Sequence, residues 1–269
     1  MEKLIRQAAV AGSFYPADSR ELRRMLAQFL AQAEQQPEYA YAPKAIIVPH
    51  AGYIYSGPVA ATAYYSLYAA RPSINRVVLL GPSHRVPFHG LASCRATHYA
   101  TPLGLIPLDR ASLDSLEPLP QVSVNDAAHI PEHSLEVQLP FLQHVLDDFT
   151  LTPLVVGDAD ETEVAEVLNE LWGDRHTLIV ISSDLSHYHD YATAQRLDQN
   201  TSRAIETLNP AAIRYEDACG RNPVNGLLHI AKRRAMHVET VDLRNSGDTA
   251  GPRDQVVGYG AYLFFEHQA

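Results

Sequence analysis

The 269-residue chain has only two cysteines, Cys94 and Cys219, far apart in sequence. That is too few for a disulfide scaffold and points to a reducing compartment, so the cytoplasm is the expected location and both thiols are expected free. Cys219 is expected in a structural turn with Gly220 and Pro223. No apolar run approaches the ~20 residues that a membrane-spanning helix needs. The first residues, Met1-Glu2-Lys3-Leu4-Ile5-Arg6-Gln7, carry no long apolar stretch, so no signal peptide is expected. Positive charge is also scarce: 21 Lys and Arg against 31 Asp and Glu give a net charge of −10, with a pI near 5.7. Non-specific nucleic-acid binding is therefore disfavoured. Internal repeats and low-complexity tracts are missing, and no composition shift marks a domain boundary, so one domain over 1–269 is expected. Hydrophobic content of 46% and charged content of 19% are those of an ordinary globular protein. What the chain has in excess is histidine: 13 residues, several beside Pro, Gly, Ser or Asp.

Hydrophobic periodicity sets the expected elements. Residues 20–34 read as an amphipathic helix with Leu22, Met25, Leu26, Phe29 and Leu30 on one face. The polar, proline-bearing stretch 35–43 reads as a loop. Short apolar runs at 45–48, 76–80 and 177–181 lack polar alternation, the mark of strands buried on both faces; they should be adjacent and interior. Further strands are expected at 151–156 and 256–265. Helices are expected at 59–69, 134–146 (kinked or split by Pro140), 160–172, 192–208 and 223–236. Alternating strands and helices predict an α/β fold, a central, mainly parallel sheet with helices on both faces.

Three of the buried strands run straight into a histidine. Ile46-Ile47-Val48 leads to Pro49-His50, Val78-Leu79-Leu80 to Gly81-Pro82-Ser83-His84, and Ile179-Val180-Ile181 to Ser182-Ser183-Asp184-Leu185-Ser186-His187. In open α/β sheets the carboxyl edge is where ligands bind. Neutral imidazole binds metals, and its charge changes near neutral pH. Two histidines with a carboxylate suit non-haem Fe(II), and three histidines suit zinc. Each residue also has a plain structural role open to it: the histidines as loop residues, Asp184 as a helix cap, and Glu132 or His133 as a cap on the helix at 134–146. The turn-rich segment 244–251, in which Asp248 is the best candidate ligand, could be simple loop.

At these residues the sequence resembles the Memo family, whose bacterial members are called AmmeMemoRadiSam system protein B. The matching segments are AGSFYP (11–16), PHAGYIYSGPVAA (49–61), GPSHRVP (81–87), EHSLEVQLPFLQ (132–143), VVGD (155–158), SSDLSHY (182–188), CGRNP (219–223), NSGDTAG (245–251) and VVGYGAY (256–262). They span nearly the whole chain in order. The resemblance implies a fold related to the class III extradiol dioxygenases, and a metal site built from His50 and His84 with a third ligand from the segment before the last strand. Animal relatives place a cysteine there; this chain has none in 240–255, and Asp248 is closest in register. A carboxylate there favours Fe(II) or Mn over Cu(I), with Zn also compatible; Glu132 is the alternative carboxylate. His187 matches the dioxygenases' acid/base histidine, with Asp184 and His133 beside it. The name of the system implies a radical SAM protein and an AMMECR-type protein as partners. Three functions are then in view: a metal-dependent redox or oxygenase-like enzyme, a non-catalytic protein that uses the same pocket for binding, and, last, a hydrolase built on Ser182, Ser183, Asp184 and His187, which lacks a nucleophile-elbow motif.

Overall fold

The computed structural model describes residues 3–33 and 41–266. The expected loop at 35–43 thus lies mostly outside the described residues. The chain begins with β1 (Ile5–Arg6), α1 (Ser19–Ala33), β2 (Ala45–Val48), α2 (Tyr53–Tyr65) and β3 (Arg76–Pro82). Short elements follow: β4 (Leu91–Ser93), β5 (His98–Thr101), β6 (Gly104–Pro107), α3 (Arg110–Ser115), β7 (Val122–Val124) and α4 (Asp126–His129). The second half holds α5 (Leu139–Val145), β8 (Thr150–Val156), α6 (Glu161–Glu170), β9 (Thr177–Ser182), β10 (His187–His189), α7 (Tyr191–Glu206), α8 (Arg221–Arg233), β11 (His237–Asn245) and β12 (Val256–Phe265).

Nine of the strands form the central sheet, in the order β10-β12-β2-β9-β3-β8-β4-β7, with β11 also paired to β12. Its middle, β2-β9-β3-β8, is parallel throughout. The flanks are mixed: β12 runs antiparallel to β2, and β4 antiparallel to β8. The apolar runs at 45–48, 177–181 and 76–80 are therefore adjacent interior strands, and Ile46, Ile47, Val78, Leu79, Ile179 and Val180 are fully buried. Burial of each such side chain stabilises by roughly 1.5–3 kcal/mol. Helices cover both faces: α1, α2 and α5 pack together, with α2 lying on β2, β11 and β12, while α8 packs on β3 and β9 and carries α6.

Two of the longer elements depart from expectation. Helix α2 starts at Tyr53, six residues before the expected 59, so Pro58 sits inside it. Pro140 does split its segment, as expected: a 3₁₀ turn at Glu136–Gln138 gives way to α5, where the proline occupies the first turn and its missing N–H leaves nothing unpaired. Strand β11 was not expected. Its register slips between Thr240 and Asp242, so Val238 and Val241 fall out of a two-residue period and the alternation that marks a strand is lost.

Candidate metal centre

His50 and His84 lie just past the ends of β2 and β3, which are not neighbours: β9 runs between them. Strand spacing alone would leave the two side chains about 10 Å apart at their roots, so what joins them is the way the chain turns at each end. Their rings nevertheless meet, with centroids 5.2 Å apart. The ring of His133 stacks on His84 at 4.6 Å and stands edge-on to His50 at 5.5 Å. One ligand atom from each of the three lies within 4.8 Å of the others, a group that could hold a metal ion.

His133 arrives from the segment before α5, far from any strand end. Two features bring it in. Gly81 lets the segment lie directly on the end of β3: a Cβ there would come within 2.8 Å of Ser134 Oγ and 3.0 Å of Leu135. From the other side, buried Arg6 donates from Nε to the His129 carbonyl at 3.0 Å and from Nη2 to the Glu132 carbonyl at 2.5 Å, and it pairs with buried Glu136. Glu136 also accepts the backbone N–H groups of Ala9 and Val10 and the Tyr15 hydroxyl. The N-terminal segment is thereby clamped to residues 129–136.

The neighbours of the imidazoles decide which nitrogens are free. Ser182 Oγ gives its one proton to the Ser134 carbonyl at 2.6 Å, and it accepts from Gln138 Nε2 at 2.8 Å. Toward His50 Nδ1, at 2.9 Å, it can therefore only accept, so Nδ1 carries the proton and Nε2 the lone pair. Glu132 fixes His84 in the same way. Its Oε1 accepts from His84 Nδ1 at 2.9 Å and from the N–H groups of His133 and Ser134, while Oε2 accepts the His84 N–H at 2.6 Å. Burial opposes the ionisation of Glu132, but these bonds, led by the one from the His84 ring, outweigh it and hold the carboxyl at about 2. An ionised carboxylate accepts only, so His84 also keeps its proton on Nδ1. Burial pushes His50 well below its ordinary value and His133 to about 4, with the neighbouring imidazoles adding to both effects. Both are thus neutral at pH 7, the state in which imidazole binds metal. His133 Nδ1 is buried and lies 3.3 Å from Glu132 Oε1. The fixed lone pair of His50, the neutral rings of His50 and His133, and the hydroxyl and carboxylate partners on the far sides of His50 and His84 match the usual surroundings of metal-ligating histidine.

The cluster borders a cavity of about 620 Å³ that is also lined by Asp184, His187 and Cys219. Asp184 is buried, and its Oδ1 accepts the His50 backbone N–H at 2.7 Å. It thus holds the main chain of His50. Burial raises its carboxyl above the ordinary range. Tyr188, next to His187, takes φ 61 with its ring 71% exposed at the mouth of the cavity, a strained conformation for a bulky residue.

Asp248 does not join the imidazoles. Its carboxylate folds back on its own loop, with Oδ2 accepting the Asn245 N–H at 3.0 Å and Oδ1 the Tyr191 hydroxyl at 2.5 Å; with Asn245 it completes a capping box. The segment before the last strand presents Ser246, Gly251 and Pro252 to the cavity instead. Glu132 is likewise turned to His84 and not to the cluster's open side. The hydrolase set fails as well. Ser182 is committed as above, and Ser183 Oγ donates to the Asp184 carbonyl and accepts the Gly220 N–H; both serines are fully buried. Cys219 is the converse case: beyond its turn, its Sγ sits 3.3 Å from His50 Nε2. Gly220 makes that approach possible, since a Cβ there would meet Ser183 Cβ at 2.6 Å.

The profile of the family described as Memo-like protein matches residues 6–263. A MEMO1 family protein of Aquifex aeolicus is 38% identical, covering 97% of this chain and 99% of its own. A MEMO1 family protein of Saccharolobus solfataricus is 34% identical, covering 96% and 99%. Among solved structures, an uncharacterised protein of Escherichia coli K12 superposes with a TM-score of 0.50 at 13% identity, over 81% of this chain and 98% of that one; at that identity it speaks for the fold alone. No helix among the described residues is long and apolar enough to cross a membrane.

Proposed function

The chain belongs to the Memo family, and from that membership and the site's geometry we propose that it holds one divalent first-row metal through His50, His84 and His133 and uses it in redox or oxygenase-like chemistry. The observation that carries the reading is the convergence of three imidazoles, two with their proton fixed on the far nitrogen. Three nitrogen donors suit Zn, Cu or Fe(II); the fold relation to extradiol dioxygenases that the Memo resemblance implies favours Fe(II). The bound ion would supply Lewis acidity and, as iron, one-electron redox chemistry.

The protein's own groups have separable tasks. Glu132 and Ser182 orient His84 and His50. His187 borders the cavity outside the three-histidine group and is the candidate to hold or move a proton at its imidazole. Asp184 fixes the backbone of His50. Phe14 packs 4.8 Å from the His133 ring and borders the same cavity. A radical SAM protein and an AMMECR-type protein are the proposed functional partners. Anaerobic purification followed by elemental analysis tests the reading: about one redox-active metal per chain supports it, whereas a pocket that binds small molecules tightly with no metal would leave a non-catalytic binding protein.

A further inference from the structure

The loop between β9 and β10 carries His187 to the pocket, and two main-chain bonds tie its middle to β12. Leu185 N–H donates to the Gly258 carbonyl and Gly258 N–H to the Ser186 carbonyl, each at 2.8 Å. The Ser186 N–H instead donates at 3.0 Å to Oδ1 of Asp198, about two turns into α7. Gly258 makes room for that carboxylate: a Cβ there would lie 2.5 Å from Asp198 Cγ. On the far side of His187 the chain is held less well. Strand β10 has three residues, its register against β12 slips between His187 and His189, and Tyr188 takes φ 61. Asp198 itself is 3% exposed. A buried carboxylate is costly unless it is paired and hydrogen-bonded, yet among the described residues no Lys or Arg side chain pairs with it. Burial raises its carboxyl; the bond from Ser186, and then the imidazoles of His187 and His189, oppose that rise.

We propose that Asp198 is a positioning residue for His187: it anchors the main chain one residue before that imidazole and gives it a carboxylate counter-charge from α7. The inference rests on the reading of His187 as the group that holds or moves a proton, and it names what holds His187. Consecutive Cα atoms are about 3.8 Å apart. A carboxylate bonded to the Ser186 N–H therefore lies close to the His187 main chain, well inside the ~10 Å over which salt screens exposed charges. Two other titratable groups act on the imidazole, Asp184 from the same loop and His50 from the end of β2. Asp184 is bonded to the His50 main chain, so Asp198 is the carboxylate that ties the loop of His187 to the helix behind it.

The test follows histidine ring signals across pH in the metal-free full-length protein, with the His187 signal assigned by its loss in His187→Gln. Asp198→Asn keeps an acceptor for the Ser186 N–H and removes the charge. In that variant the Ser186 amide shift should stay near the parent's, while His187 titrates about 0.5–1 pH unit lower, as loss of a nearby opposite charge implies. His176, just before β9 at the other end of the sheet, should not move. Asp198→Ala removes the acceptor as well, so the Ser186 and His187 amide shifts should also change. The coupling is reciprocal: in His187→Gln the Asp198 carboxyl carbon should titrate higher by a similar amount. An unchanged His187 titration in Asp198→Asn, or an unchanged Asp198 titration in His187→Gln, would overturn the proposal. If neither Asp198 variant folds, the His187→Gln measurement still decides. No metal is present, so these results stand apart from the metal analysis. Turnover that survives in His187→Ala would instead remove the proton role of His187 and leave the Asp198 tether standing.

Discussion

Substituting Glu132 with glutamine is the sharpest perturbation of the site, because it keeps the side chain's shape and removes only its charge and one acceptor. Glu132 is 1% exposed and accepts four hydrogen bonds, all from N–H donors. A glutamine oxygen at the Oε1 position would still serve His84 Nδ1 and the N–H groups of His133 and Ser134. Its amide nitrogen would then face the His84 backbone N–H, donor against donor. Leaving a buried donor unsatisfied costs about 1–3 kcal/mol, and the bonds that remain lose their charge assistance. Linkage gives a second route to the magnitude. A carboxyl lowered from 4.5 to about 2 contributes roughly 3 kcal/mol at neutral pH. Because the folded value is the depressed one, this stability is present above the unfolded value and is lost as pH falls from about 4.5 toward 2. Urea denaturation of the metal-free parent and Glu132→Gln should therefore show a gap of roughly 3 kcal/mol at pH 7 that closes below pH 4.5. Metal affinity, read by chelator competition, should fall roughly 10–100-fold, as it does when partners of ligating histidines are removed. A gap under about 1 kcal/mol at pH 7, or unchanged metal affinity, would refute the reasoning.

Cys94 and Cys219 are both free, so the protein unfolded without reductant should titrate two thiols; none in the monomer would contradict the structure. His187→Ala should retain the parent's metal content while abolishing any turnover that is found, and loss of the metal in that variant would make His187 a ligand. Leu79→Ala, at a fully buried position on β3 between two parallel neighbours, should destabilise by roughly 2–5 kcal/mol in denaturant titration without touching the site.

How far the sequence reaches depends on whether a feature is local. The strands at 45–48, 76–80 and 177–181 are legible because burial on both faces leaves an unbroken apolar run, and His50 and His84 are legible because each follows such a run directly. Strand β11 is hidden by its bulge, and β1, β5 and β6 are too short, at two to four residues, to show a period. His133 is placed by contacts more than 50 residues away in sequence, through Gly81 and Arg6, and no spacing announces that. The displacement of Asp248 did leave a signal. Asn245 followed three residues later by an acid is a capping-box pattern, and it spends the carboxylate on its own loop. Cys219 had a weaker one, the glycine beside it that allows a close approach to the end of β9.

The central claim, three histidines on one metal, is tested most directly by elemental analysis of five anaerobically purified proteins: the parent, His50→Ala, His84→Ala, His133→Ala and Asp248→Ala, each first checked for an intact fold. The account predicts about one divalent metal per chain in the parent and in Asp248→Ala, and its loss in all three histidine variants. Parent-like metal content in His133→Ala, with loss in Asp248→Ala, would contradict it and put the third ligand back on the loop before the last strand.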